Sequence, residues 1–347
     1  MALDAVKNVS AYMGDLDRLQ EVLPELEGIL RPAGDLTLLQ WCVFESVFPA
    51  LAGGRWATAG MVIERALAMN RRTGHPWGSL FLAHRSWLRR AQGDYGRAIA
   101  DARLAGGSEV SAGHPWWRAF SEAMLGWVLS DAGAHDDAIA HLEQGVAAAE
   151  RDGMETYLIR CVSHLALAHW RLGDGDEAAR HLDRAERLLS QVRTPPGRAF
   201  LHGAHAYAAA ARLRLGRGEV EAALRHLDAV RGPAEAVGWR EIVATDRVLR
   251  GRAHLLSGDL GLARAALDDG VAIAEDAGLR PLAWEGHVGR AHVAVDEGDH
   301  DAITADEQTA AEHLAAITAS VDDPGLRERL ARSAERRRDA VSGEPSG

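Results

Sequence analysis

The fold is decided by one stretch of the chain, residues 125–142, which read LGWVLSDAGAHDDAIAHL. After the glycine in its middle, Gly133, apolar residues recur at the 3.6-residue period of an amphipathic helix. A glycine can end a helix cheaply because it adopts the left-handed conformation without steric cost. The stretch therefore predicts a helix, a glycine turn at Gly133 and a second helix.

This unit recurs along the chain at a spacing of about 40 residues. Its turn glycines are Gly14, Gly54, Gly93, Gly133, Gly173, Gly218, Gly258 and Gly298. A second set lies about halfway between them: Gly74, Gly113, Gly153, Gly197, Gly238 and Gly278. Since a single helix pair has apolar faces on both flanks, the repeat predicts an all-α solenoid of about eight stacked units over residues 1–320.

The residue five positions after each turn glycine is small or apolar. These residues are Leu19, Ala59, Ala98, Ala138, Ala178, Ala223, Ala263 and Ile303. Alanine at this place indicates that the two helices of a unit cross so closely that only a methyl group fits. Nine positions after the glycine the residue is apolar in every unit but the last, where Glu307 indicates a degraded terminal unit.

Two regions depart from the regular pattern. Pro49 should kink or shorten the first helix of the second unit, because proline has no N–H for the helical ladder. Residues 321–341 are rich in arginine, and we interpret them as a C-terminal helix that caps the open end of the solenoid. Residues 342–347 are expected to be a disordered tail.

Composition excludes several classes of protein. The chain has 347 residues and a net charge of −11, which argues against binding to nucleic acid or to anionic membranes. No stretch approaches the roughly 18 continuous apolar residues of a membrane span. Cys42 and Cys161 are isolated and suit buried positions rather than a disulfide or a zinc site. A cytoplasmic location is the simplest expectation.

The turns and the helices before them resemble the tetratricopeptide repeat family. Its turn and second helix are matched by Gly93-Asp94-Tyr95 with Ala98 and by Gly258-Asp259-Leu260 with Ala263; its first helix is matched by Leu125-Gly126, Leu165-Ala166 and Gly251. The resemblance covers residues 1–320. It implies a right-handed superhelix in which the first helix of each pair lines the concave face.

The repeat is about six residues longer than is usual in that family. In this respect it resembles the helical arm of ATP-dependent LuxR-type regulators of the maltose-activator kind, which implies a regulatory role in sensing an effector or a partner. A Walker A motif requires Gly-Lys, and Lys7, the only lysine, follows Val6. The nucleotide-binding part of such a regulator is therefore missing from this sequence.

The sequence contains no recognisable catalytic or metal-binding motif. His202 and His205 could share a helical face, but no third ligand is near them in the sequence. Acidic residues cluster at the turns, where they can accept from free N–H groups at helix starts: Asp131, Asp136, Asp137, Asp174, Asp176 and Glu177. We therefore predict no catalytic residue, no metal and no cofactor.

The family register predicts which side chains face the groove. Positions thirteen, ten, six and three before the turn glycine point inward, although Gly216 and Gly218 compete as the reference of the sixth unit. The predicted binding residues are Trp41, Phe44, Phe48, Trp87, Arg90, Phe120, Trp127, Arg160, Trp170, Arg212 and Arg252. The alternative is that the longer helices rotate this register and bury the aromatic residues between repeats.

Three hypotheses of function follow from an aromatic and basic groove. The first is a non-catalytic scaffold that grips a peptide or a partner protein, since Trp and Arg often dominate such contacts. The second is a small-molecule sensor in which Trp87 and Trp127 stack on an effector. The third is an enzyme built in the same cavity, which would need a groove histidine or carboxylate with a displaced pKa.

Overall fold

The computed structural model describes residues 2–107, 115–191 and 203–339, and these ranges are helical without any strand. The second-set glycines Gly113 and Gly197 and the expected tail at 342–347 lie outside them. The helices are α1 (Ala2–Met13), α2 (Leu16–Ala33), α3 (Leu36–Glu45), α4 (Val47–Ala52), α5 (Trp56–Thr73), α6 (Trp77–Ala91), α7 (Tyr95–Gly107), α8 (Pro115–Asp131), α9 (His135–Arg151), α10 (Glu155–Leu172), α11 (Gly175–Gln191), α12 (Ala204–Gly216), α13 (Val220–Ala236), α14 (Arg240–Leu256), α15 (Leu260–Asp276), α16 (Arg280–Glu297), α17 (His300–Ala319) and α18 (Pro324–Asp339).

These helices form eight hairpins, as the glycine spacing predicts. Repeat 1 is α1 with α2, repeat 2 is α3 and α4 with α5, and each later repeat takes the next two helices up to repeat 8, which is α16 with α17. Each hairpin packs against the next along the chain. The fold is a tetratricopeptide-like superhelical solenoid followed by one further helix, α18.

All eight turn glycines adopt a left-handed conformation, with φ between 66° at Gly54 and 97° at Gly173. The turn of repeat 3 shows what this achieves: the N–H of Gly93 donates to the carbonyl of Arg90 over 2.9 Å, and that of Asp94 to the carbonyl of Arg89 over 2.9 Å. These two bonds satisfy carbonyls that the end of the helix leaves free. The chain then reverses within three residues.

The predicted close crossing inside each repeat is confirmed. The six alanines five positions after the turn glycines are fully buried. A β-carbon added to Gly126 would lie 3.0 Å from the carbonyl oxygen of Ala138 and 2.5 Å from Cγ of Leu142. The terminal repeat is a complete hairpin, and Glu307, which departs from the apolar pattern there, is exposed and pairs with Arg338 in α18.

Pro49 interrupts the first helix of repeat 2, as expected. The helix ends at Glu45 and resumes at Val47, with Ser46 between α3 and α4. Proline cannot donate to the carbonyl four residues earlier, which here belongs to Glu45. The break therefore falls where the hydrogen bond is lost.

The superhelix closes on itself, which the repeat pattern alone does not predict. Indole Nε1 of Trp56 in repeat 2 donates to the carbonyl of Ala277 in repeat 7. The guanidinium of Arg280 in repeat 8 donates to the carbonyl of Gln92, in the turn of repeat 3, over 3.3 Å. Contacts between residues about 190–220 positions apart thus join the two halves of the solenoid.

The C-terminal helix α18 completes this closure. Its buried Leu326 and Leu330 belong to the same apolar cluster as Tyr95 and Leu129, which come from repeats 3 and 4. A β-carbon on Gly133 would lie 2.5 Å from the carbonyl oxygen of Arg329. Helix α18 therefore packs across the turns of distant repeats as well as beside the end of the solenoid.

Among the helices of the described ranges, none combines the length and apolar character that crossing a lipid bilayer requires.

Candidate functional site

The concave side of the closed solenoid encloses a cavity of about 800 Å³. Its wall comes from the first helices of repeats 3 to 8, namely α6, α8, α10, α12, α14 and α16, with a further contribution from α18. This volume lies within the roughly 300–1,000 Å³ that ligand pockets occupy. We call it the central cavity.

The central cavity is cationic although the chain is acidic. Seven arginines contribute to its wall: Arg90, Arg171, Arg212, Arg217, Arg252, Arg336 and Arg337. Three carboxylates accompany them: Asp131, Glu241 and Glu285. The formal excess is four positive charges, against a net charge of −11 for the whole chain. Such an inversion of charge inside a concave site attracts anions.

One side of the cavity carries a network of ion pairs around Arg90. Its guanidinium contacts Asp131 at 2.8 Å and Glu241 at 3.0 Å, and its Cζ lies 3.6 Å from the centre of the Trp127 ring. Arg171 also binds Asp131, at 2.8 Å. Burial raises the pKa of Asp131, but Arg90 and Arg171 outweigh it and hold the pKa well below its usual range. Asp131 therefore remains ionised.

A second group of arginines in the wall consists of Arg212, Arg252 and Arg337. Arg212 pairs with Glu285, while the guanidinium of Arg337 lies 4.8 Å from the centre of the Trp284 ring. Burial lowers the pKa of Arg337 and of Arg252. Among the described residues, no carboxylate lies within ion-pair distance of Arg337. These partly desolvated cations can gain from an incoming anion.

Aromatic rings form one end of the cavity. The Trp127 ring lies 4.5 Å from His164 and 4.7 Å from His205, measured between ring centres. Burial, followed by the nearby charge of Arg160, lowers the pKa of His164 well below its usual value. His164 is therefore neutral near pH 7 and serves as a flat wall rather than as a charge.

Five of the predicted site residues line the central cavity, and the structure brings them together from repeats 3 to 7. They are Arg90, Trp127, Trp170, Arg212 and Arg252. The other six do not reach it: Trp41 is half-buried, and Phe44, Phe48, Trp87, Phe120 and Arg160 are buried. Apart from the half-buried Trp41, the aromatic first half of the predicted groove is therefore closed to water.

The closure of the solenoid explains why these residues are buried. Trp87 stacks on Trp239 at 5.7 Å between ring centres, and its Nε1 donates to Glu241 over 3.0 Å. Both partners come from the start of repeat 7. Trp87 thus lies on the inner side, as the register predicts, but a distant repeat packs against it.

Arg160 is held in the aromatic core next to the cavity. Its Cζ lies 5.2 to 5.6 Å from the centres of the Trp87, Trp127 and Phe120 rings. Burial lowers its pKa to about 10, so it remains charged at neutral pH. Cation–π contacts replace the water that this guanidinium lacks.

Several residues of the cavity wall were not predicted from the sequence, although the glycine register could have identified some of them. Taking Gly218 as the reference of repeat 6 gives the inward positions His205, Ala208, Arg212 and Leu215, and all four line the cavity. The same rule in repeat 8 gives Glu285, Val288, His292 and Val295, of which the first two line it. The arginines of α18 had no such signal, because that helix lies outside the repeat.

Solved structures with the same fold provide the available comparisons. The Rap conjugation gene regulator of plasmid pLS20, in complex with the Phr* peptide, matches with a TM-score of 0.62 and 15% identity over 85% of this chain and 79% of that one. A Rap protein complexed with competence and sporulation factor matches with a TM-score of 0.65 and 12% identity over 99% and 97%. No family model and no curated protein matches the sequence. At these identities the likeness shows the fold alone.

Proposed function

We propose that this chain is a non-catalytic regulatory scaffold that senses a short anionic peptide bound in the central cavity. The observation that carries the proposal is the cationic wall, with seven arginines against three carboxylates in a chain of net charge −11. An acidic side chain or a terminal carboxylate would meet arginines that can bind it in a bidentate manner. Electrostatic attraction would also speed its entry.

The size and the lining of the cavity favour a peptide of a few residues. Trp127, Trp170 and Trp284 offer apolar surfaces beside the arginines, a combination that is common where binding energy is concentrated. The two solved structures described above hold the Phr* peptide and competence and sporulation factor, respectively. That likeness supports a peptide over a larger partner.

Within this proposal, Arg212, Arg252 and Arg337 contact the anionic groups of the ligand, while Trp127 and Trp170 contact its apolar part. Arg90, the five buried residues of the predicted groove and the half-buried Trp41 hold the wall in shape. The working unit is the solenoid at 1–320 together with the helical segment at 321–341, because α18 contributes to the cavity.

We further propose that the chain senses its ligand as the helical arm of maltose-activator-type regulators does, whose long repeats its own resemble. Binding would alter the closure of the solenoid and so its affinity for a partner protein. We place this activity in the cytoplasm, where the buried free thiols of Cys42 and Cys161 would stay reduced.

A binding experiment with short peptides tests the proposal. Tryptophan fluorescence and calorimetry would compare acidic pentapeptides with their amidated, neutral counterparts, and both with a panel of small dicarboxylic acids. We expect the acidic peptides to bind more tightly and to lose affinity as salt rises. Equal binding of acidic and neutral peptides would contradict the proposal, and preferential binding of a dicarboxylic acid would favour a small-molecule sensor.

A pair of variants on one helix localises the binding. Arg337→Gln removes a cavity cation, whereas Arg332→Gln changes an exposed arginine of α18 whose side chain is 55% exposed. Loss of one charged hydrogen-bond partner costs about 1.5 kcal/mol or more, which is roughly tenfold in affinity. We expect that loss for Arg337→Gln alone; equal affinities for the two variants would place the ligand elsewhere.

A further inference from the structure

The turn of repeat 5 gathers two histidines and a carboxylate outside the central cavity. His169 lies in the last turn of α10, and Glu177 and His181 lie one helical turn apart on α11. One ligand atom from each of the three lies within 4.8 Å of the others. Residues four apart share a helical face, so Glu177 and His181 both point towards the end of α10.

Each histidine of this cluster has a ring nitrogen without the partner that buried imidazoles normally have. His169 is 8% exposed, and among the described residues its Nε2 has no hydrogen-bond partner; the same holds for Nδ1 of His181. The two rings lie 5.4 Å apart, nearly parallel at 14°. Buried polar atoms are paired in most proteins, so unpaired nitrogens on two neighbouring rings indicate a missing partner.

Comparison with the other repeats shows that this arrangement is specific to repeat 5. A histidine eight positions after the turn glycine also occurs as His141 and His226, but these contact Glu122 at 2.8 Å and Glu186 at 2.7 Å. Repeat 5 alone combines that histidine with a carboxylate at the fourth position and a histidine four positions before the glycine. Repeat packing therefore does not explain the cluster.

We propose that His169, Glu177 and His181 bind one divalent transition-metal ion, with Zn²⁺ as the best fit, and that water completes the coordination. Imidazole nitrogen and carboxylate oxygen are ligands that Zn²⁺ accepts in tetrahedral sites with an open position. The side chain of Glu177 is 37% exposed, so it can rotate to close the ligand set around an ion. The proposal does not depend on what binds in the central cavity.

A neighbouring group supports this assignment. Carboxylate oxygen Oδ2 of Asp174 lies 3.3 Å from Nδ1 of His169, where it can orient the ring by accepting its proton while Nε2 binds the ion.

A second group, Glu275, His287 and His313, has similar spacing. Its central histidine, however, already has a partner for each ring nitrogen. Ring nitrogen Nδ1 of His287 contacts Asp306 at 2.7 Å, and Nε2 contacts Glu275 at 2.9 Å. Both nitrogens of the central histidine are engaged. An ion would have to displace both of these contacts. In repeat 5, by contrast, Nε2 of His169 and Nδ1 of His181 lack partners, and only the exposed contact of Glu177 with Arg180 would be exchanged.

Metal titration of the tag-free full-length chain tests the proposal. After treatment with EDTA and desalting, Co²⁺ is added as a spectroscopic probe and Zn²⁺ as a competitor, with stoichiometry from calorimetry. We expect one equivalent of Co²⁺ to give the intense visible absorption of tetrahedral coordination, and one equivalent of Zn²⁺ to remove it. Absence of that spectrum, or a stoichiometry other than one, would overturn the proposal.

Matched variants place the ion in repeat 5. His181→Gln is expected to weaken binding by at least about a hundredfold, since loss of an outer-shell partner alone costs roughly 10–100-fold. His226→Gln changes the equivalent position of repeat 6 and should leave binding unchanged. Glu177→Gln provides a second, more exposed ligand variant if His181→Gln alters the circular dichroism. Unchanged affinity in a folded variant at either position refutes the assignment.

Discussion

Glycine has two roles in this chain, and each depends on the missing β-carbon. The turn glycines need left-handed backbone angles, which side chains disfavour. Gly126 has the other role: it lies in the middle of α8, where the carbonyl of Ala138 and the side chain of Leu142 approach it closely. Gly28, in the middle of α2, has no neighbouring atom within 4 Å of the position a β-carbon would take. The two helical glycines therefore predict opposite effects of the same substitution.

We expect Gly126→Ala to lower the free energy of unfolding by about 1–3 kcal/mol, because an added methyl group would force α8 and α9 apart. Gly28→Ala should raise it by about 0.5–1 kcal/mol, because alanine favours a helix and finds free space. Urea denaturation followed by circular dichroism measures both. A stabilising effect of Gly126→Ala would show that the helices of repeat 4 do not cross as closely as described.

Residues whose role depends on local geometry could be predicted from the sequence, whereas residues whose role depends on distant contacts could not. Turn glycines and crossing alanines are set by local backbone geometry and by the neighbouring helix, so their spacing predicted both. Whether Trp87 meets water depends on Trp239 and Glu241, more than 150 positions away. Local periodicity carries no information on that contact. The cluster at His169 and His181 was not predicted for a similar reason, since its members lie on two different helices.

At the scale of the element, α18 shows how a helix can be predicted while its position is not. The arginine-rich composition at 321–341 indicates a helix, and α18 spans Pro324–Asp339. Its contacts with Tyr95 and Leu129 follow from the closure of the superhelix, which no feature of the segment itself encodes. By joining repeats 3 and 4 to the cavity wall, α18 links the end of the chain to its middle.

We expect Leu330→Ala to loosen this helix, because Leu330 is fully buried and its truncation removes about 2–5 kcal/mol of packing. Hydrogen exchange should rise in α18 and at the turn around Gly133, which the carbonyl of Arg329 approaches. Arg332→Ala, on the exposed face of α18, should leave both unchanged. Faster exchange in α18 alone would mean that the helix does not support that turn.

On the scale of the whole molecule, the contacts between repeats distant in the sequence distinguish this chain from an open solenoid. In an open array each repeat contacts only its neighbours, so stability is a sum of nearest-neighbour contributions. Here Glu241 of repeat 7 binds Arg90 and Trp87 of repeat 3, with exposed fractions of 5% for its side chain and 15% for that of Arg90. Such contacts make distant repeats unfold together. They also enclose the central cavity, since Arg90 and Glu241 both line it.

Breaking this contact should therefore open the superhelix without unfolding its repeats. Glu241→Ala leaves the indole N–H of Trp87 and one side of the Arg90 guanidinium without a partner, and removing one member of a buried pair costs about 3–5 kcal/mol. We expect a larger radius of gyration by small-angle scattering at nearly unchanged helical content. Asp228→Ala breaks an ion pair between adjacent helices, with Arg250, and serves as the control because Asp228 is 61% exposed. If the closed form depends on apolar packing alone, both variants will scatter like the parent chain; if it depends on the link between repeats 3 and 7, only Glu241→Ala will expand, and its affinity for anionic peptides will fall with it.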